Sequence, residues 1–484
     1  MAPTKKKKNE FAINIKEIDE SKNVVATYNA AYESEGILVS YPENKSGFGR
    51  TVLNAFLPAG YPHSVTSDYL EYQVYVSYPR IVGGKTVLNT SQDSLQAFSS
   101  SIAGMLSSRA VLEGIGVGDS QASPTQALLL SVLQESLGRI ATIIFAHRLG
   151  SSLEPECKMY RLLADIFNDS AMILACLSPA LPKSLRVAVL AVASTLRSLC
   201  GVAAGSSKAS LSAHFAKVGN LGELNAKDSS QETIISLLGM LTGSLVISHI
   251  TTKFATWATL ILLLSIHLFT NYLAVRAVSM RTLNRQRANL VFSSCLHAFK
   301  NKDSGMKLLS PEEVSRQERI FEKDGVLRSY DFRLGRNDIR GYCYIGVPLQ
   351  KILSLFHRRV LHVEISPSPR LFEFPALLEV YKNEGYIMMC NIIAGMRPEY
   401  YIVVKEGAEN RDLLKGWLHA LYHTTLWAVG RKEGESVIEG LERTREEVEG
   451  MLESYDVFGE LERAGWDIKT GALETRSGTR VRIG

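Results

Sequence analysis

Three polar residues stand at helical spacing within an otherwise apolar stretch of the sequence. Asp165, Asn168 and Asp169 occupy positions i, i+3 and i+4, so on a helix all three side chains point from one face. A buried carboxylate needs a partner, because an unpaired charge away from water is strongly unfavourable. This face is therefore expected either to bind a small polar ligand or ion, or to form a structural polar network that fixes helix register. The residue types alone do not decide between these two interpretations.

Basic residues follow in and after a segment of small residues. Residues 201–213 are nearly all Gly, Ala and Ser, which lets helices or backbone approach closely and leaves hydroxyls and amides available to a small polar ligand. Lys208 and His214 are expected to contact an anionic group, while the carboxylates orient the lysines. The candidate ligand-binding residues are Asp165, Asn168, Asp169, Lys208, His214, Lys227 and Glu232.

Signatures of enzymes and metal sites fail on inspection. The Gly-rich residues 201–208 have no lysine directly after the second glycine, and the glycines at 114, 116 and 118 do not match the dinucleotide fingerprint. His419 and His423 are four apart on a predicted helix, but without a zincin Glu or a third ligand they are interpreted as surface or core histidines. Because no nucleophile–base pair is evident either, we expect a protein that is not an enzyme, with no cofactor and no metal.

Charge and cysteine usage narrow the class of protein further. The net charge is only +5, and the basic residues form no aromatic-interleaved stripe, so nucleic acid is not an expected partner. The six cysteines are widely scattered without a C-x-x-C pair, which indicates reduced thiols and an intracellular protein. Charges through Lys22 occupy the place of a secretory signal, so membrane insertion is expected to use internal segments.

Two internal segments have the composition and length of membrane spans. Residues 233–250 and 254–274 contain no Asp, Glu, Lys or Arg, and each is long enough to cross a hydrocarbon core of roughly 30 Å. Trp257 and Tyr272 lie near the two ends of the second segment, where interfacial aromatics are favoured. The alternative is two buried core helices of a large soluble protein. The two segments are expected to form a helical hairpin, and the second is followed by Arg276, Arg281, Arg285 and Arg287. By the positive-inside rule, these arginines place the outer ends of the hairpin and the C-terminal half of the chain in the cytosol or an equivalent compartment.

The remaining elements are predicted from periodicity, caps and turn residues. Helices are expected at about 95–114, 125–147, 160–177, 184–204, 410–427 and 436–455, and a capping box at 310–313 begins another. Strands are expected at 342–347, 360–365, 386–393 and 400–404, and Gly239 with Gly243 predicts close helix packing. The expected fold class is a mainly α membrane-embedded helical domain followed by a soluble α+β C-terminal domain. The expected boundaries are 1–50 for a polar N-terminal tail or cap, 51–290 for the helical membrane domain and 300–484 for the soluble domain.

Several segments of the sequence resemble the root UVB-sensitive family, also called the vitamin B6 photoprotection and homoeostasis family. The resemblance covers about 56–290 and is loose in the C-terminal part, around 404–407 and 465–466. It is carried by Leu57-Pro-Ala-Gly-Tyr-Pro-His-Ser-Val-Thr-Ser-Asp-Tyr69, Tyr160-Arg-Leu-Leu-Ala-Asp-Ile-Phe-Asn-Asp169, Gly201-Val-Ala-Ala-Gly-Ser-Ser-Lys-Ala-Ser-Leu-Ser-Ala-His-Phe215, Ala226-Lys-Asp-Ser-Ser-Gln-Glu-Thr233, Asn271-Tyr-Leu-Ala-Val-Arg276 and Thr282-Leu-Asn284.

The resemblance implies a eukaryotic membrane protein, associated in plants with plastids and with vitamin B6 status, and without an agreed catalytic activity or site. This sequence departs from the family pattern at 78–90, where a loop is inserted. It also shows no plastid transit peptide, so the plant compartment does not transfer, and the organelle stays open.

Two hypotheses about function follow. In the first, a multi-pass protein of an intracellular membrane, with the lipid bilayer as a partner, binds or transports a small polar or anionic solute and is linked to pyridoxal phosphate homoeostasis. In the second, a membrane-anchored interaction or scaffold protein recruits a protein partner through its C-terminal domain. If the second hypothesis holds, deletion of the residues after about 300 abolishes function. Changes at Asp165, Asn168 and Asp169 then only reduce stability.

Overall fold

A computed structural model gives the fold of the chain, which begins with a small sheet, continues through long helices and ends in a mixed α+β region. The residues that the structure describes are 11–18, 24–31, 37–40, 58, 61, 64–69, 72, 92–115, 124–217, 219–300, 308–331, 336–356, 373–393, 395–427, 435–476 and 478–483.

The N-terminal part of the chain contains more strand than its polar composition predicted. Strands β1 (Phe11–Ile18), β2 (Val24–Ala31) and β3 (Ile37–Ser40) form an antiparallel sheet in the order β1-β2-β3. The expected polar tail or cap at 1–50 therefore includes a small sheet.

Six long helices follow, and most begin and end near the predicted residues. They are α1 (Gln92–Ile115), α2 (Pro124–Leu149), α3 (Cys157–Leu177), α4 (Lys183–Phe215), α5 (Leu221–His249) and α6 (Lys253–Ala277). Pro124 opens α2 at the first helical position, where its missing N–H is not needed. By length and composition, five of the described helices could cross a membrane: Leu128–Ser152, Cys157–Ala180, Lys183–Phe215, Leu221–His249 and Lys253–Ala277.

The segment of small residues at 201–213 is helical, which corrects the expected end of α4 near residue 204. The hydroxyls of Ser206, Ser207 and Ser210 donate to backbone carbonyls four residues earlier, at 2.8, 2.7 and 3.2 Å. The backbone amides of this segment are likewise part of the helix. The expectation that its hydroxyls and amides stay available to a ligand is therefore wrong for these three serines and for the backbone.

Several of these helices carry large apolar side chains on their outer faces. Ile143 of α2 is 67% exposed, and Leu245 of α5 is 66% exposed. Exposed apolar surface on this scale is rare in monomeric soluble proteins and marks a site of contact with lipid or protein.

The chain divides into two compact units, 1–106 with 211–270 and 107–210 with 271–484. Within the first unit, α5 packs closely on α1 through two glycines. A Cβ atom on Gly239 would lie 2.7 Å from Cβ of Ser101, and one on Gly243 would lie 2.9 Å from Sδ of Met105. Because real side chains do not approach so closely, the G-x-x-x-G spacing is confirmed as a helix-packing motif.

The second unit contains an α+β region that begins with two short helices and a hairpin. Its first elements are α7 (Arg285–Lys300), α8 (Pro311–Ser315), β4 (Val326–Asp331), β5 (Arg336–Ile345), α9 (Leu349–Phe356) and α10 (Phe374–Val380). The predicted capping box is present, because Glu313 N–H donates to Ser310 Oγ at 3.3 Å and Ser310 N–H donates to Glu313 Oε2 at 2.8 Å.

The α+β region continues with β6 (Tyr386–Asn391), β7 (Glu399–Lys405), α11 (Asn410–Trp427), α12 (Val437–Ser454), α13 (Val457–Arg463) and β8 (Arg480–Val481). The sheet order is β4-β5-β7-β6, with β8 beside β7, and the β5–β7 pair is parallel. The predicted strands at 342–347, 386–393 and 400–404 are confirmed, the one at 360–365 lies outside the described residues, and β4 and β8 were missed.

The core of this region is built between the sheet and the helices α7, α11 and α12. Trp417 is fully buried, and its indole N–H donates to Asn289 Oδ1 at 3.0 Å. Helix α7 spans the boundary expected at 290–300 and is buried in this core. The division into 1–50, 51–290 and 300–484 stays a prediction.

The two histidines of α11 are core residues. Tyr386 Oη lies 3.2 Å from His419 Nδ1, and Thr444 Oγ1 lies 2.9 Å from His419 Nε2. His423 Nδ1 lies 2.7 Å from Tyr400 Oη. Both imidazoles are at most 5% exposed, so their spacing reflects burial on one helix face.

Candidate functional site

The predicted polar face lies on α3, where Asp165 has two close partners. Arg161 Nη1 donates to Asp165 Oδ1 at 3.2 Å, and Asn271 Nδ2 donates to Asp165 Oδ2. Asn271 is fully buried on α6, and Asp165 is 5% exposed. Neither partner was among those expected for this carboxylate. Arg161 stands one helical turn before Asp165, so its i,i+4 spacing was a usable signal, whereas a single Asn within an apolar segment carries little information.

The other predicted residues of the second unit lie on α3 and α4. Asp169 is 2% exposed, Asn168 is partly buried one position before it, and Lys208 is partly buried on α4. Helix α3 packs against α2 and α4 through Tyr160 and Ala164, which contact the apolar cluster that includes Phe145 and Ala203. A carboxylate at Asp169 is thereby held within apolar helices. Its pairing with Lys208 stays a prediction.

The three remaining predicted residues lie in the first unit. His214 Nε2 lies 2.9 Å from Asp68 Oδ2, and both side chains are less than a tenth exposed. His214 therefore has a carboxylate partner from the segment before α1. Lys227 and Glu232 are both on α5, the first partly buried and the second exposed. At a separation of five residues they do not share one helix face.

A second charged cluster, missed by the sequence reasoning, lies where α3 begins. Glu318 accepts from Lys158 Nζ at 2.6 Å and from Arg287 Nε at 2.9 Å, and all three side chains are at most 6% exposed. Arg287 also donates to the backbone oxygen of Pro155 at 3.3 Å and to Thr282 Oγ1 at 3.0 Å. The charges are buried, and the partners that they share offset part of the cost of that burial.

Burial and neighbouring charges shift the pKa values of Glu318 and Arg287 in opposite directions. Burial alone would raise the pKa of Glu318, but Arg287 and Lys158 lower that pKa to about 2. Burial would lower the pKa of Arg287, but the Glu318 carboxylate raises it above the usual guanidinium value. Both groups are therefore charged at neutral pH.

Asn284 joins this cluster to the start of α7. Its Oδ1 accepts from the Arg287 N–H at 2.9 Å, which is the bond of an N-cap. Its Nδ2 donates to the backbone oxygen of Pro155 at 3.3 Å and to Glu156 Oε2 at 3.1 Å. The four arginines at the end of α6 and after it differ in burial. Arg285 and Arg287 are buried, whereas Arg276 and Arg281 are exposed. The positive-inside argument for orientation then rests on the two exposed arginines.

Neither the polar face on α3 nor the charged cluster around Glu318 is placed as a metal site. Over the described ranges, no group of three or more His, Cys, Asp or Glu side chains is placed to hold a metal ion. The geometry is suited to fixing helices against one another and to holding a polar or charged group within an apolar surround.

A family model matches residues 42–298, which is more than half of the chain, and its description is vitamin B6 photo-protection and homoeostasis domain. The chain belongs to the root UVB-sensitive family. The matched residues include the whole predicted polar face, the Asp68–His214 pair and the Asn284 cap. The family segments Tyr160–Asp169 and Thr282–Asn284 are those that carry the Asp165 contacts and the start of the charged cluster.

Individual members of the family are similar over larger parts of the chain. RUS family member 1 of Dictyostelium discoideum is 38% identical over 296 residues, 60% of this chain and 51% of that protein. Protein root UVB sensitive 3 of Arabidopsis thaliana is 32% identical over 378 residues, 77% of this chain and 74% of that protein. Root UVB sensitive 2, chloroplastic, of Arabidopsis is 26% identical, covering 76% of this chain and 72% of that protein. No solved structure matches the chain.

The chain thus spans about half the length of the first of these relatives. The family names connect these proteins with vitamin B6 homoeostasis and with a plant phenotype, and they name no enzymatic activity.

Proposed function

We propose that this protein is a multi-pass integral membrane protein that binds a small polar solute without catalysing a reaction, and that it takes part in vitamin B6 homoeostasis. The observation that carries the proposal is the contrast on α3 and its neighbours. Large apolar side chains are exposed on the outer helix faces, and Asp165 with Asp169 is buried on an inner face.

A lipid environment explains both halves of this contrast. Exposed Leu, Ile and Phe side chains on long helices are favourable against acyl chains and unfavourable against water. Ionisable groups buried among such helices are rare and are kept where they bind a solute, relay a proton or pair with one another. The Arg161–Asp165–Asn271 contacts hold one carboxylate in place. Asp169 is buried on the same helix and Lys208 is partly buried on α4, and we propose both for contact with a solute.

The family description supplies the solute class to test first. Pyridoxal phosphate is a small anionic molecule, and a site that includes a lysine with carboxylates and an amide suits a molecule with both an anionic and a hydrogen-bonding part. The proposed contact residues are those of the second unit, Asp165, Asn168, Asp169 and Lys208. Contact of a solute with His214, Lys227 and Glu232 of the first unit stays a prediction.

The test is binding and uptake of pyridoxal phosphate and pyridoxine by the full-length protein in liposomes. The variants are Asp169→Asn and Lys208→Ala, and the matched controls are Glu154→Gln and Lys217→Ala, whose side chains are exposed. We expect the first pair to reduce binding or uptake and the control pair to leave it unchanged. Equal behaviour of all four variants, with each protein still folded, would contradict the proposal.

A second candidate function is that of a membrane-anchored interaction protein acting through the α+β region, which has a large core of its own. Deletion of that region is not a clean test, because it would remove Glu318 and leave Lys158 and Arg287 buried without their carboxylate. Substitution of Phe321 and Met396 is expected to preserve the fold, because both side chains are exposed. Loss of function in those variants, with unchanged solute binding, would favour the interaction protein.

A further inference from the structure

A pocket of ≈ 200 Å³ lies in the second unit beside the charged cluster. Its walls come from the end of α2, the turn into α3, the start of α7 and the segment before β4. The volume exceeds that of a single water, whose share of the liquid is about 30 Å³. It is below the roughly 300–1,000 Å³ typical of sites for drug-sized ligands, so it suits a small metabolite or a lipid headgroup.

Cations without carboxylate partners line this pocket. Among the residues that the structure describes, no carboxylate forms an ion pair with Arg148 or Lys323. The ammonium of Lys323 lies 4.9 Å from the centre of the Tyr342 ring, which leaves its N–H groups open to a further acceptor. Arg476 is 77% exposed at the rim, 3.7 Å from Asp324.

The carboxylates of the pocket are already engaged. Glu322 accepts two bonds from Arg328, at 3.0 and 2.9 Å. Asp324 contacts Arg285 and accepts from Thr475 Oγ1 at 3.1 Å. Glu156 accepts from Asn284 Nδ2 at 3.1 Å, and burial raises the pKa of this carboxyl group although Arg287 opposes that shift. The local balance of unpaired charge is therefore positive.

The neutral polar groups of the pocket are also used within the protein. Ser152 Oγ donates to the backbone oxygen of Leu149 at 2.7 Å, and it lies 2.6 Å from Tyr160 Oη, which then acts as the donor between them. The Gln286 side-chain amide bonds the backbone of Arg319 in both directions. The donors that remain for a ligand include those of Arg148 and Lys323, while Met159 and Val326 supply an apolar wall.

We infer that this pocket binds a phosphate monoester group, held by Arg148 and Lys323, with its organic part against the apolar wall. Arg and Lys are the side chains that bind phosphate most strongly, and two unpaired cations match a doubly charged group. The inference goes beyond the proposed function, because it concerns other residues and holds whether or not the α3 face binds a solute. Since the pocket lies at one end of two candidate spans, the monoester group could belong to a soluble metabolite or to a phosphatidic acid headgroup.

The test is calorimetric titration of phenyl phosphate into the full-length protein in phospholipid-free detergent micelles, with phenol as the uncharged comparison. We expect phenyl phosphate to bind, phenol not to bind, and the double variant Arg148→Ala/Lys323→Ala to weaken binding by at least about tenfold, since two charge-assisted hydrogen bonds are lost. The matched control is Arg316→Ala/Lys469→Ala, which removes two exposed cations of the same unit outside the pocket.

A second arm identifies the source of the group. In nanodiscs, added phosphatidic acid should compete with phenyl phosphate if the natural ligand is the lipid. It should have no effect if the natural ligand is soluble. Either result supports a phosphate monoester site in this pocket. The double variant Arg148→Ala/Lys323→Ala changes no residue of the α3 face, so a loss of phenyl phosphate binding in it is assigned to the pocket. The inference is overturned if wild-type protein binds neither probe, or if both double variants weaken binding equally.

Discussion

The ammonium of Lys158 donates to the carboxylate of Glu318 at 2.6 Å, although the two residues are 160 positions apart in the sequence. Lys158 lies in the first turn of α3, a candidate membrane span, and Glu318 follows the short helix α8 of the α+β region. With Arg287 as the third member, the contact fixes the start of a long apolar helix to the α+β core.

Removal of the Glu318 charge is expected to destabilise the protein strongly. Glu318→Gln keeps the shape of the side chain but leaves Lys158 and Arg287 buried without an anion, which costs about 3–5 kcal/mol. The measurement is the free energy of unfolding in detergent. Glu312→Gln, an exposed position on α8, is the control and should change this free energy little.

The same carboxylate gives a pH dependence with a defined sign. Its pKa is lowered in the folded protein to about 2 from the usual 4.5, so its contribution to stability is complete above pH 4.5 and is lost as the pH falls towards 2. The difference in unfolding free energy between wild type and Glu318→Gln should therefore be constant at neutral pH and shrink below pH 4.5. A difference that grows on acidification would contradict the assignment.

The Asp165–Asn271 contact is expected to couple α3 and α6 energetically. Asn271→Leu leaves a buried carboxylate with one fewer donor, which costs about 1–3 kcal/mol. The double variant Asp165→Leu/Asn271→Leu should cost less than the sum of the single variants, because it removes both polar groups together. Additive single and double effects in detergent unfolding would show that the two side chains do not interact.

Bulk at Gly239 should separate α5 from α1. Gly239→Leu places side-chain atoms where Ser101 already lies, and overpacking of this kind costs about 1–3 kcal/mol or more. Gly222→Ala on the same helix meets open space and should be neutral or stabilising, since Ala is favoured over Gly in helices by about 1 kcal/mol. Thermal unfolding of the two variants is the comparison, and equal midpoints would argue against the close packing.

The α+β core should lose stability as its buried histidine becomes protonated. Burial lowers the pKa of His419 well below its usual 6.5, and the neighbouring His423 lowers it further. Stability is then complete above about pH 6.5 and falls as the pH decreases below that value. The unfolding midpoint of wild type should fall more steeply between about pH 7.5 and about pH 5.5 than that of His419→Gln, while the exposed control His147→Gln keeps the wild-type slope.

Local patterns predicted the elements well, and long-range contacts could not be predicted. Periodicity and caps placed α2, α3, α11 and α12 within a few residues, because those signals are contained within each helix. The end of α4 was missed since Gly and Ser have low helix propensity, and the burial of Leu211 and Phe215 in the missed part offsets that preference.

The candidate site was only partly accessible from the sequence. The shared face of Asp165, Asn168 and Asp169 follows from spacing alone, and the structure places it on α3. Glu318 had no signal, because nothing in its local sequence distinguishes it from the other carboxylates that follow α8. Arg285 and Arg287 were interpreted as charges that orient the two spans by the positive-inside rule, and only their tertiary partners reveal that they are buried.

We propose that the exposed apolar faces of the long helices contact lipid tails. The direct measurement is labelling of the full-length protein in bilayers by an apolar carbene-generating reagent dissolved in the lipid, mapped by mass spectrometry. Phe269 of α6 is 62% exposed and Phe321 of the α+β region is 50% exposed, so they form a matched pair. We expect heavy labelling at Phe269 and little at Phe321, and equal labelling of the two would show that α6 does not face lipid tails.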